Sequence, residues 1–559
     1  MCKRLLRPYA TVSAASDARL AIPRFGATVA LGYPSTEPDS MAFDLQDLAR
    51  RLFKAAENLW TNTGLRPDQY AQPVLALVAL RQMEAKFERV DAELRPTFTG
   101  RLRPTPAHYQ AHGAMFVPEI ARFSRLLALP GNANLGAELT AAMDALTEAN
   151  PDLVGVMPRG YAALPNTVLA DLLRLLAPLE VEGDAYGLIF EYFMGEFASA
   201  FMQKGGEYFT PASIVKLIVE VIEPYHGAIL DPACGSGGMF VHSAEFVRRR
   251  HKAPDKELAV YGIEKMADTL RLCRLNLAVH GLSGDIREAN TYYDDPHKLL
   301  GRFDFVMANP PFNQSEVDRS RLVTATGQVD ARYPLGLPTV NNANTLWINL
   351  FYGALNETGR AGFVMANSAS DAGGSEREIR RRLVETGAVD CIVAVGPNMF
   401  YTVTLPVTLW FLDRGKAKGR RADQVLFLDA RHLFRQVTRA HRMFDPDQIE
   451  FLGNVVRLWR GEPVEDVAGS GERMEPAFPD GRYRDVAGLC LAASRADIAA
   501  QDYSLNPGRY VGVAPGHAID EADFQAKLEA LHEELEGLNT EAAVLQTRIA
   551  DNVAALVGA

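Results

Sequence analysis

The sequence predicts an α/β protein: a doubly wound, Rossmann-like domain with a helical domain before it and a helical tail after it. Short apolar runs ending at turn residues alternate with helical stretches through the middle of the chain, the pattern of a mostly parallel sheet covered on both faces. The region before it is mostly helical in periodicity, and the final stretch repeats apolar residues at spacings of three and four. At 559 residues the chain is long enough for about three domains with a large core. The divisions fall at 1–41 (an unassigned extension), 42–180 (helical), 181–480 (α/β) and 481–559 (tail).

The extension starts basic but has no continuous apolar segment, so it is not a clear signal peptide. Met41, just before a well-patterned helix, is a second candidate start. In the helical domain, Phe43 to Ala56 is amphipathic and Pro73 to Phe87 carries a denser apolar face. No apolar run approaches a transmembrane length, and the expected setting is cytoplasmic.

The α/β domain shows its first strand at Ala228-Ile-Leu230, followed by Asp231-Pro-Ala-Cys-Gly-Ser-Gly-Gly238 and a helix from Met239 to Arg250. Strand, glycine turn and helix place a ligand at the strand's carboxyl end. Gly235, Gly237 and Gly238, with Ser236 among them, let the backbone turn tightly and approach a ligand. Asp231, at the strand tip, is placed to accept from an amino group. A dinucleotide site needs Gly-x-Gly-x-x-Gly and room for a pyrophosphate. The Gly-x-Gly-Gly here favours S-adenosyl-L-methionine, with a ligand-free turn as the plain alternative. One βα unit later, Ala259-Val-Tyr-Gly-Ile-Glu264 ends a second strand on a carboxylate. Doubly wound sites hold ribose hydroxyls there; a surface glutamate is the alternative.

Phe303-Asp-Phe-Val-Met-Ala-Asn-Pro-Pro-Phe312 reads as a buried strand stopped sharply by two prolines. Its residue types suit chemistry on an amine conjugated to a purine ring, which is a poor nucleophile because its lone pair is delocalised. The Asn309 side-chain oxygen and the Pro310 carbonyl can accept both amine hydrogens and leave the lone pair aimed at a methyl group. Pro311 stiffens the turn, which favours positioning. Phe312 offers a face for stacking, and a target base must leave the duplex to reach it. Taken alone, Asn-Pro-Pro-Phe is also an ordinary turn. Later apolar strands are Val389 to Val395, Pro406 to Leu412 and Val425 to Leu428.

Composition narrows the class. Five cysteines (Cys2, Cys234, Cys273, Cys391, Cys490) show no Cys-x-x-Cys spacing, which argues against a zinc site or disulfide framework. No Pro-Cys dipeptide suggests a cysteine nucleophile for ring-carbon methylation. A net charge of −11 argues against a chain that grips nucleic acid alone over a wide surface. Basic runs do occur at 377–382, 414–421 and 431–442, and Arg431, Arg435, Arg439 and Arg442 have the spacing of one helical stripe, or of a solvated helix face. In the tail, Leu528, Leu531, Leu535, Leu538, Ala542, Leu545, Ile549, Asn552 and Leu556 form a heptad-like seam that fits a helical partner, or packing on the chain itself. No Gly-x-x-x-x-Gly-Lys-Ser/Thr motif marks a motor.

With these motifs in this order, the chain resembles the amino-group DNA methyltransferases, and more closely the modification subunits of type I restriction–modification systems, over residues 42–559. Gly206-Glu-Tyr-Phe-Thr-Pro-Ala212 resembles the family's upstream cofactor motif, which implies that Glu207, Tyr208, Phe209, Thr210, Pro211 and Ala212 pack on the donor. Glu288-Ala-Asn-Thr291, after a turn at Gly284-Asp285, resembles the segment near the cofactor's adenine, with Asn290 in contact. Gly359 to Met365, Asn398 to Tyr401 and Asp502 to Tyr510 resemble later strand, target-pocket and closing segments. The resemblance implies methyl transfer from S-adenosyl-L-methionine to adenine N6 in DNA, the phenylalanine fitting adenine better than cytosine N4. It implies a specificity subunit bound through the tail helix, two modification subunits per specificity subunit, and a separate restriction and translocase subunit.

The chain departs from the family in residues 1–40 and in Ala366-Asn-Ser-Ala-Ser-Asp371, which replaces a more apolar strand end and is expected to alter the target pocket. Two other classes remain open at this point: a stand-alone amino-group methyltransferase acting on DNA, RNA or protein glutamine, and a non-enzymatic scaffold. Intact Asn309, Pro310 and Phe312 weigh against the scaffold, and the absence of an evident recognition domain weighs against the stand-alone enzyme.

Overall fold

One nine-stranded sheet organises the α/β region. The computed structural model describes residues 67–98, 102–177, 210–315, 317–323, 326–339, 343–400, 405–438, 441–513 and 545–546. The strands are β1 (Gly227–Asp231), β2 (Leu258–Glu264), β3 (Gly284–Glu288), β4 (Phe303–Ala308), β5 (Leu355–Ala366), β6 (Val389–Val395), β7 (Val407–Asp413), β8 (Gln424–Asp429), β9 (Arg435–Thr438), β10 (His441–Met443) and β11 (Cys490–Ser494). Their order in the sheet is β11-β8-β6-β7-β5-β4-β1-β2-β3, with β9 and β10 forming a separate two-stranded ribbon. The run from β3 to β5 is parallel. β7 is antiparallel to both β5 and β6, β8 is parallel to β6, and β11 is antiparallel to β8. The carboxyl ends of β1 to β6 and β8 therefore share one edge.

Continuous burial along β6 and β7 is what a central strand covered on both faces requires. One face carries α4 (Ala212–Ile222), α5 (Gly238–Arg249), α6 (Ala267–Val279) and α9 (Pro446–Arg460); the other carries α7 (Asn344–Ala354) and α8 (Gly374–Glu385). The helical domain before them contains α1 (Pro67–Leu94), α2 (Leu135–Ala149) and α3 (Asn166–Leu176). Its core continues into Leu275, Ala278 and Val279 of α6, which ties it to the sheet. Local chemistry sets the helix ends. Asp445 and Gln448 form a capping box at the start of α9, Pro446 occupies its first turn, and Gly461 ends it at φ +78°. Among the described residues no helix is long and apolar enough to cross a membrane.

The main strands lie within a few residues of their sequence expectation, with three differences. The sheet continues past residue 480, where the tail was expected to begin, because β11 pairs with Gln424 to Leu428 of β8. Gly284 and Asp285 are the first residues of β3, hydrogen-bonded in register with Val260 and Tyr261, not a turn. Within the basic run from Arg431 to Arg442, Arg435–Thr438 and His441–Met443 pair as an antiparallel ribbon, not a helical stripe. Phe43 to Ala56 and all of the tail seam except Leu545 lie outside the described residues.

At the amino edge, opposite the carboxyl ends of β1 and β4, a buried ion network joins α4, α9 and the sheet. Arg457 donates to Glu220 at 2.6 Å and to Glu223 at 2.9 Å, and all three are buried. Arg460 and Arg421 bracket the fully buried Asp390 at 2.8 and 2.6 Å. Removing one member strands the others in a low-dielectric core. Arg457→Met is expected to lower stability by about 3 kcal/mol, read as a shift in the urea unfolding midpoint; a loss below about 1 kcal/mol would show that the carboxylates find other partners.

Candidate functional site

The crevice forms where the sheet reverses its winding. β1 has β2 on one side and β4 on the other, so the turns leaving β1 and β4 stand side by side at the carboxyl edge. Asp304 on β4 reinforces the junction, accepting from the Ala228 backbone and from the Asn356 side chain, both at 2.8 Å.

The turn after β1 is held from behind and open in front. The Cys234 N–H donates to Ile263 at 3.1 Å and the Gly237 N–H to Cys234 at 2.8 Å. Asn276 of α6 donates to the Ser236 carbonyl at 2.8 Å. Gly237 sits at φ +81°, and a Cβ there would lie 2.8 Å from the Cys273 sulfur. A Cβ at Gly235 or Gly238 would meet nothing within 4 Å. The cradle thus has room for a ligand on the side those residues face. Asp231 is buried at its base, accepting from the Ala233 N–H at 3.0 Å.

Glu264, at the tip of β2, has more work than the sequence implies. One oxygen accepts from the Gly235 N–H at 3.0 Å and the other from the Met266 N–H at 2.9 Å. It therefore fixes the glycine turn itself. Asn290 accepts from the Tyr292 N–H at 3.2 Å, forming the turn after β3. Thr291 ties that turn to the first one through the Pro232 carbonyl at 2.5 Å. Thr210, Pro211 and Ala212 lead into α4 on the neighbouring face. Glu207, Tyr208 and Phe209 lie outside the described residues.

Across the crevice, Asn309 follows β4. Both its side-chain oxygen and nitrogen are buried and have no hydrogen-bond partner. Pro310 is buried, Pro311 is half-buried, and half-buried Phe312 packs against the core beneath α4 and α5. The next residue, Asn313, adopts φ +51° and is clamped by Asn344 at the start of α7. Asn344 accepts from the Asn313 N–H and donates to its side-chain oxygen, both at 2.8 Å, while Ala343 donates to the Gln314 carbonyl at 3.1 Å.

Sequence patterning missed this clamp, and it missed Arg332. That guanidinium is buried and donates to the carbonyls of Asp294 at 2.8 Å and Thr291 at 3.1 Å while gripping Asp330. The chain between β4 and β5 therefore holds two turns: Asn344 fixes the turn after β4, and Arg332 fixes the turn after β3. Neither residue sits in a motif whose spacing announces it.

Comparison with known proteins agrees with this geometry. The profile of the N-6 DNA Methylase family matches residues 181–517, and that of the HsdM N-terminal domain matches residues 48–176. The chain is 32% identical over 537 residues to the type I restriction enzyme MjaIX methylase subunit of Methanocaldococcus jannaschii, covering 91% of each chain. It is 32% identical over 432 residues to the HindI methylase subunit of Haemophilus influenzae, covering 74% of this chain and 91% of that one. In fold it is similar to a type I restriction–modification methyltransferase subunit from Streptococcus thermophilus, with a TM-score of 0.64 at 22% identity, covering 84% of this chain and 99% of that one.

Burial pushes the Asp231 carboxyl up to about 8, with the Glu264 charge adding to the rise and the Ala233 N–H opposing it. A carboxyl raised in the folded state adds stability below its unfolded value of 3.8, and that stability is lost as pH rises toward 8. Asp231→Asn removes this titration. The ligand-free variant is expected to unfold at higher urea than the unsubstituted protein at about pH 8.5, with the gap closing toward about pH 4. A gap that does not change with pH would mean that the carboxyl is already ionised in the fold.

Proposed function

The chain belongs to the N-6 DNA methylase family, as an N6-adenine DNA methyltransferase subunit of the type I restriction–modification kind, and from that premise we propose that Asn309 is the residue that holds the adenine amine. The observation that carries this role is its buried side-chain amide with neither end bonded. Leaving such a group unsatisfied costs about 1–3 kcal/mol, and a ligand amine would recover that cost. In this reading the Asn309 oxygen and the Pro310 carbonyl each accept one amine hydrogen. The nitrogen is drawn toward a pyramidal shape and its lone pair faces the cradle beside Asp231. Pro311 limits how far the two acceptors can move, and Phe312 stacks on the base once it has left the duplex. The reaction needs no covalent nucleophile on the protein.

S-adenosyl-L-methionine, when bound, supplies an electrophilic methyl group on a sulfonium centre. The residues present suit it. Gly235, Ser236, Gly237 and Gly238 leave open space in front of the turn, and Asp231 offers a carboxyl that ionises against the donor's amino group. Glu264 and Asn290 stand at the strand ends that would meet ribose and adenine. The upstream segment Glu207 to Ala212 would close over the donor. The partners in this reading are DNA, a specificity subunit bound through the C-terminal helix, and a restriction and translocase subunit in the full complex.

Asn309→Ala is expected to abolish methyl transfer and remove N6-methyladenine from host DNA, while S-adenosyl-L-methionine affinity stays within about threefold, the signature of an interaction made only in the transition state. Equal loss of binding and transfer would sink the assigned role. Deleting the chain from Phe524 onward is expected to prevent co-purification with the specificity subunit while sparing donor binding. Unchanged co-purification would assign the seam to packing within this chain.

A further inference from the structure

The β9–β10 hairpin is the one basic run that leaves the body of the protein as a ribbon. Between Asp429 and Asp445 the chain carries Arg431, Arg435, Arg439 and Arg442 and no acidic residue, in a protein of net charge −11. The carboxylates at its two ends pair with Arg431 at 2.5 Å and with Arg435 at 2.7 Å, orienting both while leaving them about half exposed. Arg442 stacks on the Phe434 ring at 3.9 Å and donates to Gln436 at 3.0 Å, which presents its guanidinium flat along the ribbon. Arg439 lies outside the described residues. Ala430 and Phe444 at the two ends of the segment are buried in the core, and Leu433 and Phe434 pack against it, but none of the described residues of β9 or β10 joins an apolar core, so the basic strands call for another explanation.

Its position supplies one. The hairpin springs from the carboxyl end of β8 and is anchored by the Arg442 N–H on the Asn398 carbonyl at 2.8 Å, just past the end of β6. β6 and β8 end at the same edge as β4, so the ribbon rises from the edge that bears Asn309. β6 lies three strands from β4, a lateral offset of roughly 14 Å. Along a duplex that is about four base pairs at 3.4 Å each. We propose that this hairpin is a phosphate-contacting ribbon, with Arg435 and Arg442 gripping the backbone of the duplex that flanks the extruded base. The contact is electrostatic and independent of sequence. The proposal rests on the DNA-methylating function above and adds a DNA surface to it.

The test uses the full-length chain co-purified with its partner subunits, and equilibrium binding to the methylatable duplex across roughly 50–300 mM salt. The double variant Arg435→Gln/Arg442→Gln is expected to flatten the slope of log K against log salt by about 1.8, because each lost phosphate contact removes about 0.9. It should bind the duplex at least tenfold more weakly at about 150 mM salt, with S-adenosyl-L-methionine affinity and the transfer rate at saturating DNA unchanged. Arg495→Gln is the control. It removes an arginine of similar exposure, 40% against 51% for Arg435, paired with Asp423 at 2.8 Å at the opposite edge of the sheet, and should leave the slope alone. If the double variant keeps the unsubstituted slope, or the control flattens it as much, the proposal is overturned. If the unsubstituted protein binds and methylates no duplex at all, the parent reading has failed and the hairpin assignment falls with it.

Discussion

Everything at the site depends on one constraint of topology: β1 and β4 are hydrogen-bonded neighbours whose following segments run away from each other. That leaves two turns facing across a crevice with no crossover helix between them. The backbone pairing of Leu230 with Val306 fixes how far along the crevice each turn emerges, and Asp304 locks the junction by satisfying a donor from β1 and a side chain from β5. Gly235 to Gly238 on one side and Asn309 to Phe312 on the other inherit their separation from these bonds. Neither turn has to be stable alone. Asn276 and Asn344 hold them from outside the crevice, and Arg332 holds the neighbouring turn after β3, so the space between stays open and still has rigid walls.

The same crevice concentrates what the fold would otherwise avoid. An unpaired amide at Asn309 and a buried carboxyl at Asp231, raised by burial, both work against folding. The opposite edge is built the other way. There Arg457, Arg460 and Arg421 satisfy Glu220, Glu223 and Asp390 almost completely within a few residues of the helix ends. Three apolar clusters span the rest. Among the described residues, Asn309 is the side chain with both of its polar atoms buried and unpartnered, at the edge where a ligand can relieve it, whereas the arginine–carboxylate pairs of the amino edge find their partners within the fold.

Much of this was legible because local chemistry and global position agree. Apolar runs that end on Asp231, Glu264 and Asn309 must be strands whose polar tips face one edge, and the glycines after Asp231 admit few conformations. The basic hairpin was misread for a physical reason. Arg431, Arg435 and Arg439 are four apart, which places them on one helix face but equally on one strand face, since four is even; periodicity alone does not separate the two. β11 was missed because Cys490-Leu-Ala-Ala-Ser494 is short and small, and it becomes a strand only by pairing with β8. Asn344 and Arg332 act through hydrogen bonds to residues about 30 to 40 positions away, a distance over which residue spacing carries no signal.

The polar segment after β5 shows how an apparent departure becomes an adaptation. Ala366 to Asp371 looked, in sequence, like a weakened strand end that would reshape the target pocket. Within it, Asp371 accepts from Asn506 at 2.9 Å and from the Ser504 hydroxyl at 2.5 Å, and pairs with Arg509 at 3.2 Å. Tyr510 stacks on Phe427 with ring centres 4.0 Å apart, and buried Arg380 donates to the Tyr503 carbonyl. An apolar strand end would bury more area, but it would offer no acceptor for this segment. The trade is one carboxylate for a fixed path: the closing segment packs on β6 and β8 and reaches Val511, whose carbonyl accepts from the Gly488 N–H just before β11.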